Sequence, residues 1–128
     1  MRFKLKVRRG ARALVMLIGT DITFDEFALC RCDAEDFEEA LRYAQSRVAL
    51  PTFLVGGDFA IRAAAHVANL RGVVAFEATD AAAAAKLDVP LLLIGGSRTV
   101  SAPDSSRLDS GDEKLAVSVA ARFISVYA

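Results

Sequence analysis

The chain has 128 residues, with 16 basic and 16 acidic side chains, so its formal net charge is zero. This balance argues against a dedicated nucleic-acid-binding protein, and the longest apolar runs are far shorter than the ~20 residues that span a bilayer. Hydrophobic residues make up 54% of the sequence, which predicts a homo-oligomer that buries apolar surface between subunits. No secretory signal is recognisable, so the expected location is the cytoplasm.

The first two predicted strands form an N-terminal β-hairpin. Residues 2–8 alternate between basic and apolar side chains, as a half-buried edge strand does. Residues 13–18 are continuously apolar, which suits a strand covered on both faces. Arg9 and Gly10 offer a turn between the two strands. The basic side chains protect the sheet edge from aggregation or, alternatively, dock on an acidic surface such as residues 33–39 of another subunit.

Residues 23–32 carry two conflicting patterns. Thr23 and Glu26 have the spacing of a capping box, which is typical of a helix start. The alternation over 27–32 favours a short strand, and we adopt that interpretation. On a strand, Cys30 and Cys32 point to the same face, which disfavours a mutual disulfide and indicates two small buried side chains. Since the sequence has one histidine, a metal site of Cys and His ligands is not expected.

The rest of the chain alternates between helices and strands, which is the signature of right-handed βαβ units on a parallel sheet. We predict one domain over residues 1–128: a Rossmann-like or flavodoxin-like three-layer α/β sandwich with five to six strands and about four helices. Predicted helix caps are Asp33, Asp58, either Thr79 or Asp80, and Ser110 with Glu113. Predicted strands cover 52–55, 73–76 and 89–94, and a polar loop covers 97–109.

Four turns follow the predicted parallel strands, at the edge where open α/β sheets bind ligands. Paired glycines let a backbone approach a ligand, and nearby hydroxyls and a guanidinium suit an anion. We therefore predict a site for a small anionic or nucleotide-like molecule. Its candidate residues are Gly19, Thr20, Gly56, Gly57, Asp58, Gly95, Gly96, Ser97, Arg98 and Thr99. The alternative explanation of each glycine pair is the geometry of the turn itself.

Catalytic chemistry has weaker support from the sequence. No Gly-x-Ser-x-Gly turn is present, and the sole histidine, His66, is predicted to lie within a helix away from the strand ends. The weak catalytic candidates are Asp21, Asp58 and Glu77, which with Asp80 can share a Mg²⁺ ion or shift one another's pKa. The sequence thus favours a non-catalytic binding or regulatory module and identifies no cofactor. A small carboxylate enzyme and an assembly subunit are the alternatives.

Overall fold

The computed structural model describes residues 2–128, so Met1 lies outside the described part of the chain. Within residues 2–128 there is one sheet of seven strands, together with four α-helices. The strands are β1 (Lys4–Lys6), β2 (Leu14–Ile18), β3 (Ala28–Cys32), β4 (Thr52–Gly56), β5 (Leu70–Phe76), β6 (Leu91–Ile94) and β7 (Ser105–Leu108). The helices are α1 (Phe37–Arg47), α2 (Asp58–Ala63), α3 (Ala81–Ala85) and α4 (Glu113–Tyr127).

The sheet has the spatial order β1-β3-β2-β4-β5-β6-β7, and only the β1–β3 pair is antiparallel. This arrangement confirms the predicted three-layer, mostly parallel α/β fold. The strand beyond the predicted five to six is β7, which lies inside the segment predicted as a polar loop. Ser105 and Ser106 are exposed on this edge strand, so no apolar pattern marks it in the sequence.

The predicted N-terminal hairpin does not form, although both of its strands exist. β1 pairs with β3, with Lys4 opposite Arg31, whereas β2 lies between β3 and β4 and is parallel to both. β2 is completely buried, and its two edges already carry parallel partners. No edge of β2 is left for β1, which instead extends the sheet beyond β3.

The ambiguous segment 23–32 contains the predicted strand, since β3 begins at Ala28. Thr23 and Glu26 do not begin a helix, and the Glu26 side chain accepts a hydrogen bond from the backbone N–H of Asp25 (3.2 Å). The residues before β3 cross one face of the sheet, where Phe24 and Phe27 are buried. Residues 23–27 therefore supply core side chains although they form neither a helix nor a strand.

The two faces of the sheet are covered unequally. Helices α1, α2 and α3 pack on one face and form one buried cluster with it. On the other face, α4 and the apolar side chains of segment 22–27 form a second cluster. Cys30 and Cys32 are free thiols buried in the first cluster, as the same-face prediction requires. No helix in residues 2–128 combines the length and apolar content that crossing a membrane requires.

Several helix starts differ from the predicted ones. A 3₁₀ turn at Ala34–Asp36 precedes α1, so the Asp33 side chain caps no helix. α4 begins one residue after Asp112, whose carboxylate accepts from the backbone N–H groups of Lys114 (3.0 Å) and Leu115 (3.3 Å). Ser110 instead accepts from the N–H of Asp112. The predicted cap was wrong because Asp112 lies adjacent to the helix and is the better acceptor for its first N–H groups.

Candidate functional site

The turns after β2, β4, β5 and β6 lie side by side at one edge of the sheet, because these four strands are parallel and adjacent. The chain leaves β2 toward β3 on one side and leaves β4 toward β5 on the other. Strand order therefore reverses between β2 and β4, which is where open α/β sheets place their ligand crevice. The predicted site residues follow these strands and therefore lie at this edge of the sheet.

The turn after β4 is tied to the turn after β5 by Asp58. Its carboxylate accepts hydrogen bonds from the Thr79 hydroxyl (2.7 Å), the Thr79 N–H (2.8 Å) and the Asp80 N–H (3.0 Å). The predicted role of Asp58 as a cap for α2 was wrong: Gly57 holds the N-cap position, and no side chain caps the helix. Both carboxylate oxygens of Asp58 are used to hold a neighbouring turn.

The electrostatics around Asp58 keep it ionised. Burial alone would raise its pKa, but hydrogen bonds from Thr79 and Asp80 and the charge on Arg62 outweigh burial, so its pKa is lowered. Asp80 caps α3 by accepting from the Ala83 N–H (3.0 Å) and also accepts from Arg62 Nε (2.7 Å). These bonds likewise lower its pKa. Neither carboxyl is therefore poised to donate a proton near neutral pH.

The turn after β6 is packed closely on the turn after β5. Gly95 and Gly96 have φ of +66° and +81°, a conformation that favours glycine. A Cβ on Gly96 would lie 2.6 Å from both the N and the O of Ala78. The Gly96 N–H donates to the Glu77 carboxylate (3.1 Å), and the Ser97 N–H donates to the Ala78 carbonyl (3.0 Å). The glycine pair is thus explained by this turn-to-turn contact.

A half-buried arginine that the sequence analysis missed holds the same turn. Arg107, on β7, donates to the carbonyls of Gly95 (2.7 Å), Ser97 (3.0 Å) and Val100 (2.7 Å). Because β7 lies in the predicted loop, no sequence pattern distinguishes Arg107 from its charged neighbours.

The side chains predicted to attract an anion after β6 have partners within the chain. Arg98 is 83% exposed and forms an ion pair with Asp109 (3.1 Å). The hydroxyls of Ser97 and Thr99 are hydrogen-bonded to each other (2.8 Å). The backbone N–H groups of 95, 96, 97, 99 and 100 each donate to an acceptor within the chain. The polar groups of this turn are therefore bonded within the turn itself or to adjacent segments, including the turn after β5.

The turn after β2 is organised differently and borders an open groove. Gly19 has φ of +62°, yet a Cβ built on it would meet no atom within 4 Å. Arg31, on β3, donates to the carbonyls of Thr20 and Ile22 (2.8 Å to Ile22) and so fixes the turn. The groove beside it has a volume of about 550 Å³. It is lined by Arg2, Phe3, Lys4, Gly19, Thr20, Asp21, Arg31, Cys32 and Asp33.

The proposed catalytic carboxylates have separate environments. Asp58 binds Thr79, Glu77 binds Gly96, and the exposed Asp21 borders the groove after β2. Within residues 2–128 no group of three His, Cys, Asp or Glu side chains is arranged to hold a metal ion. His66 is exposed in a 3₁₀ turn, Ala64–His66, that follows α2, and it borders a different groove between α1 and α2.

Comparison with known proteins identifies the fold. No protein-family model and no curated protein sequence matches the chain. Among solved structures, the esterase domain of a Rhodothermus marinus protein is similar, with a TM-score of 0.67. The similarity covers 95% of this chain and 89% of that one, at 13% sequence identity. At this identity the likeness shows a shared α/β fold.

Proposed function

We propose that the chain is a non-catalytic binding or regulatory module that takes a small anionic molecule in the groove after β2. The observation that carries this proposal is the groove itself, about 550 Å³ in volume, at the carboxyl ends of β2 and β3. Volumes of this order accommodate small-molecule ligands. The proposed location is the cytoplasm, with which two free buried thiols are compatible.

The charge of the groove supports an anionic ligand. Arg2, Lys4 and Arg31 line it, against Asp21 and Asp33. Lys4 is exposed and forms no ion pair with any residue in the range 2–128. Arg31 uses two N–H donors on the turn, which leaves three of its five for a guest. Lys4 therefore supplies a free charge beside a guanidinium held in place.

The position of the sole histidine supports a non-catalytic role. Acyl transfer by a serine triad needs a histidine beside the nucleophile, and the single histidine of the sequence is the exposed His66 after α2. On α/β sheets such nucleophiles stand on a strand-to-helix turn. Here the corresponding turn, from β4 to α2, carries Asp58, whose oxygens are both hydrogen-bonded. The residues at this turn stabilise the fold and leave no free nucleophile.

A binding measurement with a matched pair of variants tests the proposal. Calorimetric titration at low salt would use inorganic phosphate, nucleotides and phosphorylated sugars as probes. We expect Lys4→Ala to raise the Kd of a binding probe about tenfold. Lys6→Ala should leave the Kd unchanged, because Lys6 is an exposed lysine on the same strand but outside the groove.

Two outcomes would overturn the proposal. Binding by none of the anionic probes would remove it, and so would equal effects of the two lysine variants, since a general surface charge would then explain binding.

The esterase-like fold favours ester hydrolysis as a second candidate. A small enzyme of this kind would have to use Asp58 or another strand-end carboxylate. The test is hydrolysis of 4-nitrophenyl acetate by the intact chain. Hydrolysis that is lost in a folded Asp58→Ala variant would support an enzyme and contradict the binding module. We expect no turnover above the rate of the uncatalysed reaction.

A further inference from the structure

A second and larger groove lies on the thinly covered face of the sheet. It runs between segment 21–26 and helix α4 and has a volume of about 860 Å³. Ile22 and Phe24 are buried beneath it, and Val117 and Ala121 of α4 form its other apolar wall. Its charged lining is mainly acidic: Asp21, Asp25, Glu26 and Glu113, with Lys114 and Arg122. The groove therefore combines an apolar floor with a negative rim.

The N-terminal segment has the complementary character. Residues 2–12 contain six basic side chains and no acid. Val7, in the middle of this segment, is 62% exposed, and its neighbours Lys6 and Arg9 are exposed as well. An apolar side chain flanked by cations fits an apolar floor bounded by carboxylates, because burial and charge then favour the same position.

The basic segment and the groove are neighbours within one molecule. Arg12 donates to the carbonyl of Ser125 (3.2 Å), and Ser125 lines the groove. Adjacent patches of opposite charge suit a two-fold interface, in which the segment of each copy meets the groove of the other. Such an interface contains the segment–groove contact twice, so each basic segment meets an acidic groove and no patch has to bind a copy of itself.

We propose that the chain forms a homodimer in which residues 6–9 of each copy occupy the groove between segment 21–26 and α4 of the other. Val7 lies on the apolar floor, and Lys6 and Arg9 face the carboxylates of the rim. This inference does not rest on the anion site, since Lys4 and Arg31 take no part in it and Asp21 alone borders both grooves.

Charge-swap variants test the dimer by sedimentation velocity. One variant carries Asp25→Lys and Glu26→Lys, and the other carries Lys6→Glu and Arg9→Glu. We expect the wild type to dimerise at low salt and to dissociate progressively as salt screens the pairs. Each variant alone should be monomeric, because its segment and groove then carry the same sign. An equimolar mixture should restore a dimer containing one copy of each.

Two further variants separate the apolar contact from general charge effects. Val7→Ser should weaken the dimer about tenfold, whereas Lys86→Glu, an exposed lysine outside this groove, should not change it. A wild type that stays monomeric at low salt would overturn the proposal. A mixture of the two charge variants that stays monomeric would do the same, as would a dimer insensitive to both charge reversals.

Discussion

The turns after β2 and β6 are both held by an arginine of the adjacent strand, but the first borders an open groove and the second is closed by contacts within the chain. Arg31, opposite Leu17 in the β2–β3 pair, donates to two carbonyls of the turn after β2. Arg107, opposite Leu93 in the β6–β7 pair, donates to three carbonyls of the turn after β6. In each case an arginine near the end of the flanking strand folds the neighbouring turn around its guanidinium.

The two turns differ in what the remaining groups do. After β6, glycines bring the backbone against Ala78, and the N–H groups are satisfied within the chain. After β2, Gly19 has open space beside it, and the turn borders a groove that Lys4 also lines. A glycine at a strand end therefore indicates either a closed contact or an open approach. The atoms around the glycine determine which of the two holds, and the presence of glycine in the sequence does not.

The largest expected effect comes from filling the closed turn. Gly96→Ala would place a Cβ 2.6 Å from two backbone atoms of Ala78 at a φ of +81°. We expect it to lower the free energy of unfolding by about 3 kcal/mol. Gly19→Ala has the strained φ but no clash and should cost about 1 kcal/mol.

Urea denaturation of both glycine variants measures this contrast. Equal losses of stability would mean that the turn after β2 is as closely packed as the turn after β6, which would remove the distinction between them.

Removing the two arginines should also destabilise the turn after β6 more than the turn after β2, with a smaller difference than for the glycine variants. Arg107→Ala removes three hydrogen bonds to carbonyls, and we expect a loss of about 2 kcal/mol; Arg31→Ala removes two and should cost about 1.5 kcal/mol. Lysine at either position should recover only part of the loss, because an ammonium lacks the planar fork that reaches several carbonyls. Thermal unfolding gives the order, and a greater loss for Arg31→Ala would contradict it.

The smallest expected effect is the pH dependence of the Asp58 contact. Because the folded-state pKa of Asp58 is below its usual value of 3.8, its contribution is present above about pH 4 and is lost as the pH falls through the folded pKa. Asp58→Asn should cost about 1 kcal/mol at pH 7 and reduce the loss of stability that the wild type shows as the pH falls below about 4.

Asp109→Asn is the matched control for Asp58→Asn, since it removes an exposed ion pair with Arg98. At pH 7 this control should change stability by less than about 0.5 kcal/mol. Acid sensitivity that persists fully in Asp58→Asn would show that other groups are responsible for it.

The fold was predictable because its signals are local. The continuous apolar strands β2 and β6 and the alternation at β3 come directly from side-chain periodicity. The pairing of β1 with β3 was not predictable in this way, since pairing depends on which strand edges the rest of the chain leaves free. β7 was missed because Ser105 and Ser106 face solvent at the sheet edge and carry no apolar pattern.

The candidate site was predictable as a location but not in detail. Topology alone places the four turns at one edge. Whether Gly95 and Gly96 face a ligand or another turn depends on contacts between segments about 20 residues apart, which local sequence does not encode. The same holds for Arg31 and Arg107, whose partners are backbone carbonyls that any residue can provide.

The reactivity of the buried thiols of β3 depends on how often this strand separates from the structure around it. Burial raises the pKa of Cys30 to about 11 and, together with nearby negative charge, that of Cys32 to about 12. Only the thiolate reacts with alkylating reagents, so at neutral pH the folded strand is protected both by access and by protonation. The alkylation rate of Cys30, which is fully buried, therefore reports how often β3 separates from α1 or from its neighbouring strands.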